Sequence, residues 1–218
     1  MGPALGELEK RITADAENEL TPYRFGHSVG VMNEAERIAV KAGIDPQKCR
    51  VAGILHDIAR EYTAKQYAAL GVRTGSDVRK GEGEVLLHGF AAAELGKIRY
   101  GIKDREILEA VRWHTTGRPG MGPVAQAVFV ADYTEPGRTG PHHDRVREVL
   151  ERYGLLSAVA EECRMTVQYR CGKNFLLPEA AEGEYPVPGS ICVYSVETLN
   201  WAVAGLRKMR GITAPEEE

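Results

Sequence analysis

Apolar residues recur at helical spacing along most of this chain, and five of the resulting stripes each carry an ionisable group. Between Tyr23 and Ala42 the stripe is His27, Val31, Ala35, Ile38 and Ala39. Between Gln47 and Arg60 it is Cys49, Ala52 and His56, after Asp45 as N-cap and Pro46 at the first helical position. The third stripe is His88, Ala91, Ala92 and Leu95. The fourth is Ile107, Ala110, Val111 and His114, after a start at Lys103-Asp104. The fifth is Ala125, Val128, Phe129 and Asp132, after Pro123. Residues three, four or seven apart share a helix face, so these groups point inward with the core. Charge in a core is costly unless it is coordinated or paired. One buried histidine has a bland explanation, but a series of them on successive helices is best explained by a shared metal.

The helical pattern continues through Val146, Val149, Leu150 and Tyr153, and resumes from Leu155 to about Tyr169. A last helix is predicted over Val196 to Arg210, followed by a solvated APEEE tail. Gly, Pro and charged clusters at Arg73–Gly83 and Gly117–Pro123 break the periodicity, and Cys171–Gly189 reads as an irregular excursion. The expected fold is an all-α helical bundle with that excursion before its last helix. It forms one domain over 1–218, with a core at about 20–144 and C-terminal helices at 145–210.

A net charge of −3 gives no global positive field for nucleic acid or an anionic membrane, and neither partner is expected. The first twenty residues lack the layout of a signal peptide, and no apolar run approaches the roughly 18 residues of a membrane span. Cys49, Cys163, Cys171 and Cys192 form no C-x-x-C pair and read as reduced thiols of a cytoplasmic protein. His142-His143, before a helix start, reads as exposed loop, Trp113 as core or rim, and Gly71–Gly83 as loop rather than a phosphate-binding P-loop. A homodimer stays open.

Adjacent residues on a helix diverge by about 100°, so His56 and Asp57 can serve one ion only near a helix end or from opposite sides of it. His27, His56, Asp57 and Asp132 offer mixed imidazole and carboxylate ligation. That set suits iron, manganese, zinc or cobalt better than an all-oxygen magnesium or calcium cage. His88 and His114 can hold a second metal or contact substrate and leaving group. No cysteine adjoins these motifs, which favours a catalytic over a structural site. Arg24 lies one turn before His27 and Arg60 one turn after His56, while Arg118 and Arg138 follow His114 and Asp132. Guanidinium groups around such a centre suit the clamping of phosphate oxygens.

The order H…HD…H…H…D, with the segments RFGHSVGVM, AGILHDIAR, LLHG, WHTTGRPGM and VADYTEPGR, resembles the HD-domain phosphohydrolases. More narrowly it resembles the bacterial YqeK-type symmetrical diadenosine tetraphosphatases, from about Leu20 to Asp144. VYSVETLNWAV is similar to that family's closing segment, where an extended stretch before the last helix helps hold nucleotide. The resemblance implies an iron-type metal on His27, His56, Asp57 and Asp132. It implies nucleotide contacts from Arg24, His27, Arg60, His88, His114, Thr115 and Arg138, with Tyr194 as a candidate near the base. Arg60 stands where the family often has lysine. The implied reaction is metal-assisted cleavage of diadenosine tetraphosphate into two ADP, with Asp57 accepting a proton and His88 or His114 protonating the leaving group. Alternatives are another nucleotide substrate (a nucleoside monophosphate, a deoxynucleoside triphosphate or a guanosine alarmone), or a non-enzymatic nucleotide sensor.

Overall fold

The computed structural model describes residues 4–72, 86–171 and 193–211. The expected loop at Arg73–Gly83, the excursion at 172–189 and the APEEE tail therefore lie outside the described residues. Within them the chain is helical, with no strand, in the order α1 (Leu5–Glu19), α2 (Pro22–Ala42), α3 (Pro46–Leu55), α4 (Ala64–Ala69) and α5 (Leu87–Ile98). Then follow α6 (Arg105–Trp113), α7 (Pro123–Thr134), α8 (Pro141–Tyr153), α9 (Leu155–Cys171) and α10 (Val193–Met209).

Local signals set several starts. The Asp45 carboxylate accepts from the backbone N–H of Gln47 and Lys48, ahead of Pro46 in the first turn of α3. Asp104 does the same for Glu106 and Ile107 at α6. Such a cap stabilises a helix by about 1 kcal/mol. The apolar partners on all five stripes are buried in one continuous core. α7 is its centre: Val124, Ala125 and Ala127–Ala131 are all buried, and it packs against α2, α3, α6, α8 and α9. α2 and α3 lie closest, because Gly53 leaves no Cβ where one would meet Met32 Cα at 2.7 Å.

Several expectations need correction. The helix expected to reach Arg60 ends at Leu55, and His56 is its C-cap. His142 and His143 lie in the first turn of α8, with His143 Nδ1 donating to Tyr133 O at 2.8 Å, so they are not loop. Tyr153, on the apolar stripe by spacing, is exposed at the end of α8. Tyr194 lies within α10, so that part of the closing segment is helical. α1 and α4 are additional: α1 buries Leu8, Ile12 and Ala16 at fourfold spacing, and α4 is held by a Thr63–Gln66 capping box.

Candidate metal centre and active site

His27 stands near the start of α2, His56-Asp57 just past α3, His88 in the first turn of α5, His114 just past α6 and Asp132 near the end of α7. Tertiary packing brings all six together. His27 Nε2 is 2.9 Å from Asp132 Oδ1, and His88 Nε2 is 3.2 Å from Asp57 Oδ1. The rings of His56 and His114 meet edge to face with centroids 4.7 Å apart.

The two helix ends use one device. His56 Nδ1 lies 2.6 Å from Gly53 O, and His114 Nδ1 lies 2.7 Å from Val111 O. A carbonyl can only accept, so each Nδ1 carries the proton and each Nε2 is left with a lone pair facing the centre. Each ring thereby satisfies a carbonyl of its own last helical turn, whose partial negative charge favours a cation nearby. His56 Nε2 is fully buried and has no hydrogen-bond partner among the described residues. A buried lone pair without a donor is costly, and coordination would satisfy it.

Among the described residues three overlapping groups could hold a metal: His27, His56 and Asp57; His56, His114 and Asp132; and Asp57, His88 and His114. In each, the ligand atoms lie within 4.8 Å of one another. Protonation states agree with that use. Burial lowers the His56 pKa to about 4 and also lowers that of His88, so both rings are neutral near pH 7. Burial would raise Asp57 and Asp132, but the surrounding imidazoles hold both carboxylates well below their ordinary range. His27 is pulled the other way: burial opposes its charge, yet hydrogen bonding to Asp132 and Glu135 raises its pKa.

Cations flank the centre. Arg24 Nη1 is 3.5 Å from Asp57 Oδ2, and Arg138 Nη2 is 3.0 Å from Asp132 Oδ1. Arg60 Nη1 is 2.9 Å from both ring nitrogens of His88. The Nε2 of His88 also lies 2.9 Å from His114 Nε2, with its lone pair, and 3.2 Å from Asp57 Oδ1, two acceptors that place its proton on Nε2. Thr115 Oγ1 lies 3.0 Å from His114 Nε2 and 3.2 Å from His88 Nε2. Arg118 instead pairs with Glu109 at 2.8 Å. Tyr194 is buried with its ring 5.0 Å from that of Trp113, the residue before His114. Sequence reasoning missed Glu135, buried and 3.1 Å from His27 Nδ1. Its position three residues after Asp132, on the same helix face, was the available signal.

The HD-domain family profile matches residues 24–137, the span that holds every group of the centre. A Bacillus subtilis protein named symmetrical bis(5'-nucleosyl)-tetraphosphatase is 32% identical over 88% of this chain and 96% of its own length. A Staphylococcus aureus protein of the same name is 34% identical over 77% of this chain and 86% of its own. Among solved structures, a predicted HD superfamily hydrolase involved in NAD metabolism, from Clostridium acetobutylicum, has a TM-score of 0.74 at 29% identity. That match covers 90% of this chain and 97% of the other. The chain belongs to the HD-domain family of metal-dependent phosphohydrolases and, within it, to the group of the symmetrical bis(5'-nucleosyl)-tetraphosphatases. It is an enzyme, and no helix among its described residues is long and apolar enough to cross a membrane.

Proposed function

We propose that this enzyme cleaves diadenosine tetraphosphate at its central anhydride to give two ADP, and that it does so in the cytoplasm with iron as the native metal. The observation that carries the reading is the convergence of His27, His56, Asp57, His88, His114 and Asp132, with Arg24 against one carboxylate and Arg138 against the other. The names of the Bacillus and Staphylococcus relatives support the substrate. The buried thiol of Cys49, free among the described residues, supports a reducing compartment.

His27, His56, Asp57 and Asp132 would hold the ion, and the orphaned His56 Nε2 supports that assignment. When bound, a divalent cation supplies Lewis acidity toward phosphoryl oxygens and makes water a better nucleophile. The chain's own residues do the rest. Arg24 and Arg138, each already beside a carboxylate, turn outward to clamp phosphate oxygens. His88 Nε2–H hydrogen-bonds the departing ADP oxygen, its tautomer set by the acceptors His114 Nε2 and Asp57 Oδ1, with Arg60 against the same ring. Asp57 accepts the proton of the attacking water. His114 Nε2 and the Thr115 hydroxyl face the same point and orient the chain of phosphates, or with Asp57 and His88 take a second ion.

Quenched reactions with diadenosine tetraphosphate, NAD and a mononucleotide panel, separated by ion exchange, test the reading. ADP alone at early times is expected. Equal AMP and ATP would overturn the symmetrical cut. Release of phosphate from a mononucleotide without cleavage of the dinucleotide would replace the substrate.

A further inference from the structure

Glu135 is a buried carboxylate with no assigned task, and the chain makes room for it on two sides. Its Oε1 lies 3.1 Å from His27 Nδ1, deep enough that the glutamate is only 4% exposed. Its Oε2 accepts the Gly137 backbone N–H at 2.5 Å. A Cβ at Gly30 would sit 2.6 Å from Oε2, and the three atoms nearest that point all belong to Glu135. A Cβ at Gly137 would sit 2.9 Å from both carboxylate oxygens. Gly30 lies one turn beyond His27 on α2, so the missing side chain opens the cradle on the same face as the imidazole. The carboxylate is thus seated by two glycines and a backbone donor, with its other oxygen on His27.

From this geometry we infer that Glu135 is a positioning residue for His27, and that Gly30 is the sequence requirement for seating it. A carboxylate can only accept from the ring, so Glu135 holds a proton on Nδ1 and directs Nε2, the nitrogen that would ligate a metal, toward the centre beside Asp132. It also makes the imidazole more electron-rich, as a carboxylate behind a ligating histidine does. His56 and His114 have backbone carbonyls in the equivalent place and His88 lies against the Arg60 cation, whereas His27 has a carboxylate behind it. The inference rests on the reading of His27 as a metal ligand, and the test separates the two.

Cobalt(II) is titrated into the metal-stripped full chain against a chelator of known affinity, following the visible absorption of the bound ion. The variants are Glu135→Ala, Glu135→Gln and Gly30→Ala, and each is melted metal-free by circular dichroism. Glu135→Ala is expected to weaken cobalt about 10–100-fold, in line with loss of other outer partners of metal ligands. Glu135→Gln, which keeps an acceptor but loses charge, should fall between Ala and wild type. Gly30→Ala should weaken binding in the same direction, although it removes no polar group at all. Cobalt affinity within about threefold of wild type in both Glu135→Ala and Gly30→Ala would overturn the inference, whatever their melting temperatures. A wild-type chain that takes up no cobalt would instead overturn the metal reading, and this inference with it. Should Glu135→Ala fail to fold, Glu135→Gln and Gly30→Ala decide the matter.

Discussion

In the proposed mechanism Arg138 couples the candidate metal site to substrate through one side chain. Its Nε donates to the backbone oxygen of Asp132 at 3.1 Å, and its Nη2 reaches Oδ1 of the same residue at 3.0 Å. That bidentate seat aims the guanidinium along the carboxylate and leaves its remaining donors for phosphate. Arg24 has a looser seat on Asp57, at 3.5 Å. Arg138→Ala is expected to lower kcat/KM for the dinucleotide by about 2–5 kcal/mol, since a desolvated phosphate–guanidinium pair is lost. Metal content, measured by elemental analysis, should stay at the wild-type level. Lysine at 138 should restore only part of the loss, because a point charge cannot grip two oxygens. Unchanged kinetics in the alanine variant would place the phosphates elsewhere.

Helices act here through where they end and how closely they cross. α3 stops at Leu55, and the turns that follow let His56 and Asp57 aim at one centre despite being adjacent. α2 and α3, which carry or abut three of the ligand candidates, are set by the contact at Gly53. A methyl there would meet Met32 Cα at 2.7 Å and Met32 N at 3.0 Å, and backbone cannot swing aside as a flexible side chain can. Gly53→Ala is therefore expected to destabilise the metal-free protein by about 1–3 kcal/mol through overpacking. It should also weaken metal binding, because His27 and His56 move apart with their helices. Urea unfolding of the stripped protein, alongside a metal titration, reads both effects. If neither changes, the crossing is not what fixes the site.

At the scale of the whole molecule, stability depends on pH through buried groups whose shifts oppose one another. His56 has its folded pKa lowered to about 4 by burial. The unfolded chain therefore takes up that proton first, and stability falls as pH drops from about 6.5 toward 4. Glu162, on α9, behaves oppositely. It is buried, its Oε2 has no hydrogen-bond partner among the described residues, and burial together with nearby Asp132 raises its pKa well above the ordinary carboxylate range, against the pull of Arg138. The folded state then holds a proton that the unfolded state releases. Its contribution is full below the unfolded carboxylate pKa and is lost as pH rises through the folded one. Glu162→Gln removes that loss. Metal-free Glu162→Gln should therefore melt higher than wild type at pH 8 and no higher at pH 4, by calorimetry across the range. A variant that is less stable than wild type at pH 8 would mean that the ionised carboxylate has a partner.

The same scale separates what is local from what is not. Helical periodicity is a property of short sequence windows, so the stripes around His27, His56, His88, His114 and Asp132 were readable, and their apolar partners are indeed core. The capping chemistry of Asp45 and Asp104 was local too. The inward placement of the five ionisable groups on those stripes followed from that periodicity alone, and so did the all-α class; Asp57 turns inward because α3 ends before it. Helix ends did not. Whether α3 runs to Arg60 or stops at Leu55 depends on competing bonds from His56 to its own last turn and on the contacts of a core already assembled. Tyr194 and Tyr153 likewise took their places from packing, one against Trp113 and one in solvent, and the His142-His143 pair from the docking of α8 on Tyr133. Glu135 reaches His27 across 108 positions of chain, and Gly30 is empty for its sake. No window of sequence contains both ends of that contact. Sequence alone thus determined which groups had to face the interior, because a helix has one period. Only the tertiary structure decided which of them touch and what holds each one in line, because those bonds join residues that meet only once the helices have packed.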